Sequence, residues 1–367
     1  MISFNIILPE LNSFITNLGG EDYKGLIFLL FAITAAISRP FSGKLADTIG
    51  RKKVMFIGVL ISVIVTLFYP VTGLASFLLL RLMHGFSAGF LPTGATALVT
   101  DILPAHKRGV GMGIWGTFIS VGMGSGQVVA SWITINWGIN ALFLTGALFA
   151  VLTGLLIGFV SESLPQPQKF KFEFLKIKWN DVLEPNVLPA AFVMFCSAIS
   201  TGLVFVITPD ISVFLDIDNK GWFFGFYMIS TIVIRLFGSG ISDKIGRRKT
   251  LVFGLSFMVA SMSLIALSTT VMQYTIGAIV FGMSTGVSSP TLFAWTADLS
   301  SEDRRGVGAG TLFIALEVGI MVGSFSTMWT YDNTINSLPY VFFFGAFFSI
   351  VAIGFLLWHL SNRESKT

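Results

Sequence analysis

The chain has 367 residues, a formal net charge of +4, and a composition that is 54% hydrophobic and only 11% charged. Soluble domains are about 45 to 50% apolar, so a mean hydropathy of +0.82 excludes that class and places the chain in a bilayer. The single cysteine, Cys196, excludes an intrachain disulfide and reads as packing inside an apolar segment.

A helix needs roughly 18 or more apolar residues to cross about 30 Å of hydrocarbon. Taken in chain order, twelve such spans are predicted, at 2–17, 25–43, 54–73, 76–99, 110–131, 139–161, 187–208, 221–241, 250–268, 272–296, 307–329 and 338–360. Barrel strands would alternate over segments of about ten residues, and this chain has no such pattern. The spans are therefore helices, which satisfy their backbone polar groups internally. The first, MISFNIILPELNSF, has no basic n-region and no small-residue cleavage site, which argues against a removable signal peptide. It reads as a span short at its cytoplasmic end, either because the chain begins inside it or because the assigned start is too late.

Lys and Arg fall on one side. Connections after the even-numbered spans and the tail carry Lys44, Arg51, Lys52, Lys53, Lys107, Arg108, Lys169, Lys171, Lys176, Lys178, Lys244, Arg247, Arg248, Lys249, Arg304, Arg305, Arg363 and Lys366, which is 18 of the 23 basic residues. Lys24 and Lys220 lie on the other side. The excess puts both termini in the cytoplasm of a multi-pass protein of the cell (inner) membrane. The net charge thus reflects topology and implies no nucleic-acid partner. Trp132, Trp137, Trp222, Trp329 and Tyr331 gather at the opposite ends, as an interfacial aromatic belt does.

The longest connection, SESLPQPQKFKFEFLKIKWNDVLEPN, falls at the midpoint, and its Pro-rich start marks a boundary between halves. A short amphipathic helix on the membrane surface is expected there. The predicted organisation is an N-terminal six-helix bundle over 1–161, a central cytoplasmic loop over 162–186, a C-terminal six-helix bundle over 187–360 and a tail over 361–367. A shift of 196 residues lays Arg39 on Arg235, Asp47 on Asp243, Gly50 on Gly246 and Arg51 on Arg247. A shift of 197 lays Gly85 on Gly282, Gly89 on Gly286, Asp101 on Asp298, Arg108 on Arg305 and Gly109 on Gly306. This is an internal duplication, and two parallel six-span repeats are a known route to a transporter with its site at the repeat interface.

The stretch GKLADTIGRKK, residues 43 to 53, concentrates charge between two apolar spans. Gly43 and Gly50 permit a tight reversal and close helix approach. Asp47 can accept hydrogen bonds or face a helix N-terminus, and Arg51, four residues on, reaches Asp47 if the chain turns there. The plainer reading is that the cations only fix topology, and Lys52, Lys53, Lys244 and Lys249 take that reading.

Charges inside the hydrocarbon are few, and such groups are functional candidates by default. Arg39 and Arg235 lie close enough to the inner interface to snorkel as anchors. Glu10 follows Pro9 in mid-span, where an ionised carboxyl is costly. It is a candidate proton or substrate site, with hydrogen bonding between helices as the alternative. Ser3, Glu10 and Asn17 share one helix face, while Asn5, Asn12 and Thr16 share another, and only one stripe can look into a central cavity. Arg81 lies on a stripe with Gly85, Ala88 and Pro92, small residues that leave room for packing or a cavity. His84 has a reference value near physiological pH, and coupling competes with a packed role. Glu317, on a stripe with Gly310 and Ser324, either binds a cationic group or pairs with an arginine.

With these residues in view, the chain resembles the major facilitator superfamily. Gly43, Leu45, Asp47, Gly50, Arg51 and Lys52 meet its signature loop between spans 2 and 3, G-x-L-a-D-x-x-G-R-K/R-x. The second copy, SGISDKIGRRK, keeps Asp243, Gly246, Arg247 and Arg248 but has Ser239 and Ile241 in place of Gly43 and Leu45. Arg81 and Gly85 match R-x-x-x-G in span 4, and an acid followed by K/R-R-G closes spans 4 and 10. The resemblance covers essentially the whole chain. It implies that Asp47 and Arg51 engage Asp101 as a conformational latch, and more weakly that Asp243, Arg247 and Asp298 form its copy, with Gly43, Gly50 and Gly246 shaping the loops. It also implies a link between Arg81 and proton coupling; a permanent pairing of Arg81 with Glu10 or another acid is the alternative. One departure is clear: antiporters of the superfamily carry GPxxGG in span 5, whereas GIWGTFISVGMGSGQVVASW has Gln127 where the proline is expected. Gln127 lines the cavity or contacts a neighbouring helix.

No phosphate loop or CxxC is present, and His84, His106 and His359 are too scattered for a metal site. The expected protein is no enzyme, holds no cofactor or metal, and is a monomer. The leading expectation is a secondary transporter exporting a small drug-like or sugar-like compound with proton coupling. Uptake of a sugar or organic anion by proton symport is the alternative. A non-transporting sensor or scaffold is a third, and a long soluble extension would mark it.

Overall fold

The computed structural model describes residues 1–102, 108–178, 182–238, 241–300 and 305–364, with side chains described except at 100, 108–113, 237, 238, 241, 305, 306 and 361–364. His106, Lys107, Ser239, Arg304 and Lys366 lie outside the described residues, as do the side chains of Arg108, Arg305 and Arg363. The described residues form helices without a strand among them. The helices are α1 (Ile2–Asn5), α2 (Leu11–Asn17), α3 (Lys24–Ile49), α4 (Arg51–Phe68), α5 (Leu74–Ile102), α6 (Arg108–Phe159) and α7 (Leu188–Phe214). They continue as α8 (Trp222–Gly238), α9 (Ile241–Ile245), α10 (Arg247–Ala266), α11 (Val271–Leu299), α12 (Arg305–Thr330) and α13 (Leu338–Glu364). Among the described residues nine helices are long and apolar enough to cross a membrane, and Trp222–Leu236 is a shorter apolar helix.

Three departures from simple spans have local causes. Between α1 and α2 a 3-10 turn, Leu8–Glu10, interrupts the first span at Pro9, which has no N–H to give the carbonyl four residues back. Predicted spans 5 and 6 form one helical run, α6, broken at Gly138 (φ 82°, ψ 166°). Among the described residues of the central connection, the stretch 172–175, where a surface helix is expected, forms a 3-10 turn, Phe172–Leu175. That segment spends its backbone groups elsewhere: the Gln168 N–H donates to the Thr48 carbonyl at 2.8 Å, and the Lys176 carbonyl accepts from Lys44 Nζ.

The chain divides into two compact units. The first comprises Met1–Gly20 and Leu30–Val182, the second Glu21–Leu29 and Leu183–Thr367. In the first, α4 packs along α5 and α6, and α1 packs on α6. Leu45, Ala46, Ile49, Val54 and Phe90 form one buried cluster there, with Phe174 of the central connection packed against it. In the second unit α7 packs along α12, and α10 lies against α11 and α13. Its core gathers Val193, Met194, Cys196, Leu251, Leu255, Leu292 and Leu356. Large apolar side chains such as Leu60, Leu148, Phe159 and Phe347 point outward. Water would disfavour such a surface, and lipid accepts it.

The reversal between α3 and α4 falls on Gly50 alone. Its φ of 116° and ψ of 147° lie in a region essentially reserved for glycine, and an added Cβ would strike the Glu162 carboxylate. Gly43 sits inside α3, where an added Cβ meets nothing within 4 Å. Gly50→Ala is therefore expected to cost about 1 to 3 kcal/mol of stability, while Gly43→Ala is expected to raise stability by about 0.5 to 1 kcal/mol, as Gly-to-Ala in a helix interior does. Thermal melts of the two variants in detergent make the comparison.

Candidate functional site

The charged loop folds around Arg51. Its Nη1 lies 2.8 Å from Asp47 Oδ1 and its Nε 3.1 Å from Asp101 Oδ2, and Nη1 also donates to the Ala46 carbonyl at 2.5 Å. Ser163 Oγ donates to the same Asp101 oxygen at 2.7 Å. The first turn of α4 places Arg51, the last turns of α3 place Asp47, and the end of α5 places Asp101. In the second unit Arg247 repeats the arrangement, with Nη1 2.5 Å from Asp243 Oδ1 and Nε 2.9 Å from Asp298 Oδ2. Gly246, with φ 90°, precedes α10 as Gly50 precedes α4.

Sequence reasoning missed Glu162. Its Oε1 accepts from the Arg51 N–H and its Oε2 from the Lys52 N–H, each at 3.0 Å. A carboxylate supplied from 110 residues away thus caps the N-terminus of α4, where unpaired donors and the helix dipole favour negative charge. Burial alone would push this carboxyl up, but backbone donors from Leu164, Arg51, Lys52 and Ser163 outweigh it and hold it below its ordinary value of 4.5. Among the described residues, an added Cβ at Gly246 meets nothing within 4 Å.

A second cluster is buried in the first unit. Glu10 is 2% exposed and accepts from Ser131 Oγ of α6 at 2.7 Å. Arg81, 1% exposed on α5, lies with its guanidinium 4.8 Å from the centroid of Phe31. Its Nη1 donates to Tyr69 OH at 3.3 Å and approaches His84 Nδ1 at 3.5 Å. His84 is fully buried, 2.9 Å from Tyr69 OH and stacked on Phe4. Asn5 donates to the Met1 carbonyl at 3.0 Å, and Asn12 is buried on α2. The 3-10 turn between these two asparagines offsets the seven-residue stepping expected of one continuous helix. Gln127 is buried on α6, four residues before Ser131, and its Nε2 has no hydrogen-bond partner among the described residues. Glu317 is buried on α12, which belongs to the second unit.

A third cluster, in the second unit, was also missed. Lys24 Nζ lies 2.7 Å from Asp210 Oδ2 and donates to Asn333 Oδ1 at 2.8 Å, and Tyr331 OH donates to the same Asp210 oxygen at 2.8 Å. Predicted span 7 stopped at 208, whereas α7 runs through Pro209 to Phe214 and carries Asp210 inside it. An acid two residues beyond a predicted end was the available signal. Tyr331, expected in an interfacial belt, has its hydroxyl pushed up by burial and by the Asp210 carboxylate it bonds.

The sequence profile of the Major Facilitator Superfamily matches residues 1–217 and again 190–367. The chain belongs to that superfamily. As a member it is a multi-pass membrane transporter of the kind that carries small molecules. A multi-drug resistance efflux pump of Streptococcus pneumoniae, PmrA, is 28% identical, covering 78% of this chain and 75% of the pump. The staphylopine export protein of Staphylococcus aureus is 25% identical over 82% of this chain and 78% of its own length. Multidrug resistance protein 2 of Bacillus subtilis is 26% identical over 99% and 93%. The fold matches the human organic anion transporter MFSD10 with a TM-score of 0.74 at 17% identity, covering 97% of this chain and 95% of that one. It matches the nucleoside transporter NupG at 0.76 and 16%, covering 97% and 96%.

The lowered Glu162 value sets a pH dependence. A carboxyl held below its ordinary value stabilises the fold fully above about 4.5, and that contribution is lost as pH falls through the lower folded value. Glu162→Gln is expected to cost about 1 kcal/mol at neutral pH, as loss of a helix cap does, and to flatten the acid limb of the melting temperature plotted against pH.

Proposed function

We propose that this member of the superfamily exports a small drug-like or sugar-like solute by alternating access, driven by protons moving inward. The observation that carries the proposal is Glu10. It is a carboxyl buried at a break in the first helix, where it accepts from Ser131 Oγ. Ionisable side chains inside the hydrocarbon mark proton and solute pathways, and on this reading Glu10 carries the proton through the cycle. The similarity to PmrA, an efflux pump, and to the staphylopine export protein supports export for this chain.

On this reading twelve spans form two pseudo-symmetric six-helix bundles, over 1–161 and 187–360, joined by 162–186 and followed by a tail at 361–367. The protein is a monomer in the cell (inner) membrane with both termini in the cytoplasm. Asn5, Asn12, Arg81, His84, Gln127 and Glu317 serve solute or proton binding with Glu10. Arg81, His84 and Tyr69 share hydrogen-bonding distances, which supports a concerted role for that trio. Gln127 supplies a buried amide donor in place of the proline kink of related antiporters. Around Arg51 and Arg247 the two charge clusters act as latches, since a guanidinium gripping acids from two helices holds those helix ends in one arrangement.

In proteoliposomes, an imposed pH gradient is expected to drive solute movement, and no movement across a broad panel by folded protein would sink the proposal. Glu10→Gln should remove gradient-driven transport while leaving solute exchange, and unchanged pH dependence would take Glu10 out of the mechanism. Exchanging the charges of Asp47 and Arg51 leaves the arginine at position 47 without Asp101. Transport is expected to fall by about tenfold or more, the scale of one lost charge-assisted contact, and normal rates would argue against the latch.

A further inference from the structure

Lys24 opens α3, yet it is only 8% exposed. Its ammonium meets three kinds of partner: the Asp210 carboxylate at 2.7 Å, the Asn333 amide oxygen at 2.8 Å, and the face of Tyr331, whose centroid is 5.7 Å away. Glu21 Oε1 stands at the rim, 4.0 Å off. The surrounding groups are held in place by others. Asp210 sits within α7 next to Pro209 and accepts from Tyr331 OH. Asn333 occupies the left-handed region at φ 60°. Its turn is fixed by Asp332 Oδ1, which accepts from the Thr334 N–H at 3.0 Å and from Thr334 Oγ1 at 2.7 Å.

An ammonium presents three donors and a compact charge. A carboxylate, an amide oxygen and an aromatic face are the groups that recognise one. A buried ion pair adds little net stability over apolar residues of the same volume, and the groups that compensate the buried Lys24 charge are the same set that a free ammonium requires. We propose that Asp210, Asn333 and Tyr331 form a binding site for a protonated amine, that Lys24 occupies it as a tethered ligand, and that an amine-bearing solute displaces Lys24. The inference deepens the transporter reading, on which it rests, by naming organic amines as the solute class.

Lys24→Ala removes three methylene groups and the ammonium, and n-propylammonium supplies those atoms. Titrated into the full chain in detergent, n-propylammonium is expected to bind Lys24→Ala about tenfold or more tightly than wild type, the scale of one charge-assisted contact. Adding Asp210→Asn should abolish that gain, and tetrapropylammonium, which has no N–H, should not compete. A folded Lys24→Ala that binds no tighter than wild type overturns the proposal, as does a double variant that binds equally well. If Lys24→Ala does not fold, the wild-type chain carries the test. Acylation of Lys24 relative to the exposed Lys53, read by mass spectrometry, should rise with trimethylammonium, which the reagent cannot acylate, and an unchanged ratio overturns the proposal. Both measurements read binding without a gradient, so failure of the amine site is distinguishable from failure of transport.

Discussion

Charge carried into an apolar medium has to find an opposite charge or a dipole, because water is not there to solvate it. The buried polar side chains of this chain are arranged around that constraint. Glu10 is met by a hydroxyl from α6, Arg81 lies against an aromatic face and a phenol, and Lys24 is enclosed by a carboxylate, an amide and a ring. Each solution joins residues distant in sequence, so each also fixes how helices within a unit meet. Side chains that do not carry this burden are free to be apolar, and they form the lipid-facing surface.

The two charged loops show how duplication followed by divergence alters one physical device. Both keep a glycine with positive φ ahead of a helix, and both keep an arginine shared between two aspartates. Among the described residues, a distant carboxylate sits on the helix N-terminus in the first loop. Glu162 and Ser163 belong to the central connection, so in the first unit that connection is part of the charge cluster: Ser163 bonds Asp101, and Glu162 bonds the backbone of Arg51 and Lys52. The second loop holds its arginine with Ser242 Oγ at 2.7 Å.

Much of this could be read from the sequence. Apolar run lengths located the long helices because lipid leaves backbone so few alternatives, and the repeated Gly, Asp and Arg spacing pointed to the loops, whose local geometry needs those residue types. What escaped was non-local. Nothing around Glu162 announces that it will cap a helix begun 111 residues earlier. Asp210 lay just past a boundary drawn by hydropathy, because a helix can carry a charge at its end when a lysine from elsewhere matches it. Gly138 replaced an expected loop, since one residue with positive φ turns the chain without spending length. Pro9 was legible as a residue, but the 3-10 turn it imposes shifts every face of the first span, so stripes counted on an unbroken helix lose their register.

The Arg51 guanidinium grips Asp47 with one nitrogen and Asp101 with another, and those acids stand on different helices. In genetic terms the two acids are partly redundant. Losing either leaves the cation with a partner, whereas losing both leaves it uncompensated, so the double loss costs more than the two single losses added together. For the fold, drift at one acid costs less while the other is present; for the latch, which needs acids on two helices, either loss releases one helix end. The second loop, built on the same fork, has its own such pair in Asp243 and Asp298, which gives the chain two independent places where selection acts on pairs of residues.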